Sequence, residues 1–177
     1  MNTHAATGAP LAARYARIAD EGRRALVEGR TTVEPLPVDG TPRWGLSAVL
    51  RPRPWSRALC TTATALRETL GAPHWTYGPS TMHVTVRSIE SHRFAIGPDD
   101  PLVARYRAVV RDVLADVPSP TIELRGLLPS AGGVLVAGHP ANDPQPLRRA
   151  LFEAFAALDV PMTGPETTRE SLSLIHI

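Results

Sequence analysis

In the stretch Thr81-Met82-His83-Val84-Thr85-Val86-Arg87-Ser88-Ile89, polar side chains recur at every second position: the imidazole of His83, the hydroxyl of Thr85 and the guanidinium of Arg87. Met82, Val84 and Val86 fill the positions between. Strand side chains change face at each residue, so the pattern predicts a half-buried strand with the polar groups about 7 Å apart on one side. Phosphate chemistry uses these three groups together. The imidazole shuttles a proton, the hydroxyl bonds a non-bridging oxygen and the guanidinium supplies fixed positive charge. A strand face of ordinary solvated polar residues has the same pattern, so the rest of the chain must discriminate.

Other chemistry-bearing residues compete weakly. Arg87 suits a phosphate contact or a surface ion pair equally. Tyr77 and Trp75, just upstream of His83, could stack a base, with core packing as the alternative. His74, His83 and His92 recur nine residues apart. That odd spacing scatters them over both faces of a strand, which argues against a metal site. Cys60 sits in a helical pattern as a buried structural thiol, with no activating environment for pairing with His83. His139 in Gly-His-Pro reads as a turn residue, and His4 belongs to an N-terminus expected to be disordered over residues 1–9.

The elements that must position His83 follow from periodicity. Leu11, Tyr15, Ile18, Ala19, Leu26 and Val27 predict a helix from Pro10 that stops at Gly29. Residues 30–42 read as a loop. Arg43 to Leu50 predicts a strand, ended by Arg51-Pro52-Arg53-Pro54 because proline cannot donate to a ladder. Trp55 to Leu70 predicts a helix closed by Gly71. Asp100 caps a helix with Pro101 at its first position and an apolar stripe from Leu102 to Val117. Thr121–Leu127 and Val134–Ala137 predict strands separated by a turn over Pro129–Gly133. Asp143 and Pro144 open a last helix reaching Leu158.

Composition bounds the class. At 177 residues, with 43% hydrophobic and 20% charged residues, the chain is expected to form one domain or two small lobes on one core. No apolar run approaches the length of a membrane span and no secretory signal is apparent, so no membrane partner is expected. The single cysteine fits a reducing cytoplasm. All 19 basic residues are arginine, net charge is +2 and pI is about 9.2. Scattered arginines with abundant Ala, Pro and Gly reflect a GC-rich coding sequence more simply than nucleic-acid binding.

The elements also hint at a repeat of strand, capped helix, irregular approach and strand. Thirteen residues separate Leu70 from His83, and the same step from Leu158 arrives at residue 171. The 37-residue step from Leu46 to His83, taken from Val134, arrives there too. A second histidine-bearing strand is therefore expected near 168–176. An ordinary α+β domain with helices between its strands fits the same spacings.

His83-Val84-Thr85-Val86, the strand–helix unit before it, and Arg125-Gly126-Leu127 followed by Gly132-Gly133-Val134-Leu135-Val136 resemble the 2H phosphoesterase superfamily. That superfamily includes 2′-5′ RNA ligase-like proteins and RNA 2′,3′-cyclic phosphodiesterases. The resemblance covers roughly residues 43–170. It implies an α+β fold of two pseudo-symmetric lobes, each an antiparallel sheet with packed helices, around a central cleft. It implies one His-x-Thr/Ser motif per lobe, with His83 and Thr85 catalytic here and Arg87 and Tyr77 substrate-binding candidates. It implies no metal or other cofactor, a monomer, and RNA or nucleotide carrying a 2′,3′-cyclic phosphate or 2′-5′ linkage as partner. No second His-x-Thr/Ser is present. His176 falls near the expected position, but Leu172-Ser173-Leu174-Ile175-His176-Ile177 reads as a translated sequencing adapter. On that reading the natural sequence diverges at about Ser171, the second lobe is incomplete, and this fragment is expected to be inactive or nearly so. The competing class is a non-catalytic module that binds RNA or nucleotide through the same cleft.

Overall fold

The computed structural model describes residues 8–32, 44–51, 56–71, 76–93, 97, 99–158 and 173–176; for 8–10, 44–45, 56, 91–93, 173 and 176 only the backbone is described. Within these residues the order is α1 (Gly8–Val27), β1 (Trp44–Leu50), α2 (Ser56–Leu70), β2 (Val84–Arg93), α3 (Pro101–Asp116), β3 (Ile122–Ser130), β4 (Gly133–Pro140), α4 (Gln145–Ala156) and β5 (Ser173–His176). The class is α+β: four helices and two small antiparallel sheets among the described residues, ordered β1-β2 and β3-β4-β5.

Each helix forms where the apolar spacing and end signals coincide. In α3 the Asp100 carboxylate accepts from the Leu102 amide at 2.9 Å, and Pro101 occupies the first turn, where its missing N–H leaves no bond unmade. In α4 the cap position falls on Pro144 rather than the expected Asp143, which still accepts from the Gln145 amide at 3.0 Å. The expected helix start at Trp55 lies outside the described residues; α2 runs from Ser56.

Two hydrophobic clusters organise the packing. In the first, Leu59 and Ala63 of α2 cover Met82 and Val84, together with Val136 of β4 and Ile175 of β5. The strands β2 and β5 touch, so α2 lies over both sheets at once. In the second, Val86 and Ile89 of β2 pack beneath Tyr106 of α3 and Leu147, Leu151 and Phe155 of α4. Phe155 and Ile175 are fully buried. Burying such side chains contributes roughly 1.5–3 kcal/mol each, which locks the sheets onto their helices.

Helix α1 packs against β3, and Gly22 makes this approach possible. A Cβ there would sit 2.2 Å from the Pro129 carbonyl oxygen. Tyr15 of α1 donates to the Gly138 carbonyl at 2.5 Å, and its ring meets His139 edge-on at 5.4 Å. His139 is therefore a strand residue and not a turn residue. β4 runs on to Pro140 because Ile122 pairs with Pro140 and Glu123 with His139 at the strand end, where a missing N–H is tolerated. The turn is likewise shorter than the 129–133 expected: Ser130 and Gly133 pair, leaving Ala131 and Gly132 at the tip. Gly126, at φ 83°, sits in the register shift between Leu124 and Leu127, where a side chain would be strained.

The spacing argument expected a strand near 168–176. β5 lies at Ser173–His176, with Ile175 opposite Val136 and His176 opposite Leu135. Residues 159–172 lie outside the described residues, as do His4, His74 and Trp75.

Candidate functional site

The site is built on the start of β2, where the ladder with β1 is regular. Leu50 pairs with Val84 and Val49 with Thr85. Leu50 and Val84 turn into the first cluster beneath α2, so Val49 and Thr85 turn the other way. His83, one residue before the strand, shares Thr85's side. Both His83 and Thr85 are half-buried, whereas Met82 and Val84 are 1% and 4% exposed. The expected alternation holds over this part of the chain.

A tight turn presets the histidine. The Thr81 and Met82 amides both donate to the Gly78 carbonyl at 3.0 Å. The Thr81 hydroxyl also donates to that carbonyl, and it accepts from the Gly78 amide. The Thr81 carbonyl then lies 2.6 Å from His83 Nδ1. A carbonyl only accepts, so Nδ1 carries the proton and donates it. In the neutral ring this leaves the lone pair on Nε2. A hydroxyl two residues away and an imidazole of fixed tautomer form the minimal pair for proton transfer beside an anionic oxygen.

Arg87 departs from the alternation. Val49 pairs with Thr85, but the next β1 residue, Ala48, pairs with Arg87. Two residues of β2, Val86 and Arg87, thus stand opposite one of β1, which is a β-bulge. Both turn inward: Val86 is 8% exposed and Arg87 6%. The guanidinium lies over the Phe152 ring of α4, 4.8 Å from its centroid. Arg148 reaches the same region and donates from Nε to the Val86 carbonyl at 3.0 Å. Burial holds the Arg148 guanidinium below the ordinary arginine value. Tyr15 and Asp143 oppose that shift, and the positive charge of Arg87 adds to it. The geometry therefore separates Arg87 from His83 and Thr85.

The doubling recurs at Leu46/Ser47 and again between Trp44 and Leu46. Ser47 pairs with Ser88 and Leu46 with Glu90, so Ile89 and Glu90 both turn inward, at 3% and 5% exposure. Glu90 accepts from the Tyr106 hydroxyl at 3.0 Å. The bulges at Val86–Arg87 and Ile89–Glu90 each bury one apolar and one charged residue.

Tyr77 is half-buried and packs against the first cluster, which is the core role rather than an open stacking surface. Cys60, also half-buried, packs there too. A groove of 770 Å³ between the β1 edge and α3 is lined by Leu46, Val49, Ile89, Tyr106 and Val110; neither His83 nor Thr85 lines it. Among the described residues no three His, Cys, Asp or Glu side chains converge, and no helix is long and apolar enough to cross a membrane.

Sequence reasoning passed over Arg51. It read the residue only as part of a strand terminator, because its place depends on register and not on its own strand. Its guanidinium donates from Nη1 to the Ser80 carbonyl, next to the carbonyl that holds His83. No known family, curated protein or solved structure matches this chain.

Proposed function

We propose that this chain carries the first half of a metal-independent phosphoesterase site acting on an RNA 2′,3′-cyclic phosphate or a 2′-5′ linkage. The observation that carries this reading is the pairing of His83 and Thr85 on one sheet face, with Nδ1 engaged by the Thr81 carbonyl. The contact between β2 and β5 supports the finer architecture of two pseudo-symmetric lobes about a cleft. That contact sets β2 beside β5, a strand within the 168–176 stretch.

In the reaction one imidazole removes a proton from water as the oxygen attacks phosphorus. The bond to one ribose oxygen breaks, and a second imidazole protonates that oxygen. The product is a phosphomonoester. An unperturbed imidazole titrates near pH 6.5, so either ring can accept or give the proton at neutral pH. Thr85 bonds a non-bridging oxygen as negative charge builds. The reading assigns the second proton transfer to a His-x-Thr/Ser motif that the present sequence lacks. One transfer alone forfeits on the order of 10²–10⁴-fold in rate.

The test uses the gene read through and beyond the codon for Glu170. Hydrolysis of a 2′,3′-cyclic nucleotide by that product, lost in His83→Ala, is the expected result. Wild-type turnover in His83→Ala sinks the assignment. Ligand-induced thermal stabilisation without turnover in the unsubstituted protein would point to the non-catalytic RNA- or nucleotide-binding module instead.

A further inference from the structure

We infer that Arg51 supplies the cation for a phosphate held at His83, the part that the sequence pattern assigned to Arg87. The ladder pairs Val49 with Thr85 and Leu50 with Val84. The strands end there, and the same register continued by one step would set Arg51 opposite His83. Leu50 and Val84 turn into the core under α2, so the two residues beyond them turn out to the Thr85 side. Burial agrees: Arg51 is exposed and His83 half-buried, while Arg87 is buried against Phe152.

Both side chains are tied to one turn. Arg51 Nη1 donates to the Ser80 carbonyl and His83 Nδ1 to the Thr81 carbonyl, on consecutive residues. The Gly78–Thr81 hydrogen bonds fix those carbonyls. Residues facing each other across antiparallel strands have Cβ atoms about 5 Å apart, which a single phosphate can span. A guanidinium has five N–H donors in a rigid fork. One held by Ser80 leaves others for two phosphate oxygens. The ligand class is a terminal or cyclic phosphate ester. The inference rests on the phosphoesterase reading for that ligand's ribose, and on geometry alone for the phosphate.

The experiment measures binding of two probes to the full chain, inorganic phosphate and adenosine 2′,3′-cyclic monophosphate, by calorimetry and through the His83 ring resonances. Arg51→Gln is expected to weaken both about tenfold to a hundredfold, the loss for one charge-assisted contact. Arg51→Lys keeps the charge but not the fork and is expected to lose severalfold. Wild-type affinity in Arg51→Gln, with binding lost in His83→Gln, overturns the role of Arg51 and leaves the phosphoesterase reading standing. Phosphate binding that needs Arg51, without binding of the cyclic nucleotide, keeps Arg51 and removes that reading. Binding of neither probe removes both. Should Arg51→Gln fail to fold, Arg51→Lys decides: a severalfold loss supports the assignment, and wild-type affinity overturns it.

Discussion

The two ends of β2 handle polar residues in opposite ways. Before Val86 the strand alternates strictly, so His83 and Thr85 stand outside while Met82 and Val84 are buried. After Thr85 it repeatedly sets two residues against one, and Arg87 and Glu90 go under α3 and α4. The first end leaves its polar groups half-buried on the side away from α2. The second spends them inside, where a cation meets an aromatic face and a carboxylate meets a tyrosine hydroxyl. A polar residue on a strand thus belongs to chemistry or to architecture according to register, and register is set by the partner strand.

This contrast predicts a double dissociation. Arg87→Ala, which removes a long buried side chain, should cost about 2–5 kcal/mol in urea unfolding. Thr85→Ala should leave the unfolding midpoint nearly in place while weakening phosphate binding about tenfold. If Thr85→Ala unfolds the protein and Arg87→Ala does not, the assignment of the two ends is reversed. Tyr106→Phe comes next. It strips the buried Glu90 carboxylate of a donor and should cost about 1–3 kcal/mol with no effect on phosphate binding. A double-mutant cycle between Arg87→Met and Phe152→Leu should show a coupling of about 0.5–2 kcal/mol, the span for a cation over a ring; additive effects would deny that contact. Least affected should be Ser88→Thr. Ser88 pairs with Ser47 between the bulges, and the change should stay within about 0.5 kcal/mol by thermal melting.

The same contrast shows what the sequence could convey. The capped helix from Pro101, the helix ending at Leu70 and the face carrying His83 and Thr85 depend on local spacing and end chemistry, and all three were legible. A strand, β5 at Ser173–His176, falls inside the expected 168–176 stretch, while residue 171 lies outside the described residues. Arg87 was misjudged for a physical reason. Val86-Arg87-Ser88-Ile89-Glu90 reads as continued alternation until Ala48 and Leu46 are known to face two residues each. Arg51 was missed for the complementary reason: only the fold brings its guanidinium to the Ser80 carbonyl, beside the turn that holds His83. For Tyr77 the sequence left base stacking and core packing open, and its place against the first cluster fits the packing role.

The bulge at Val86 also bears on how this strand can change length. In a regular strand, losing one codon turns every following side chain to the wrong face. Here Val86 is the residue without a partner of its own, since Thr85 already pairs with Val49 and Arg87 with Ala48. Excising it would join two pairs that are already in step. His83, Thr85, Arg87 and Glu90 would keep their facings, and only the contacts of Val86 beneath α4 would be forfeited. Position 86 is thus a place where lineages of this chain can differ by a whole residue inside a strand, a kind of variation ordinarily confined to loops.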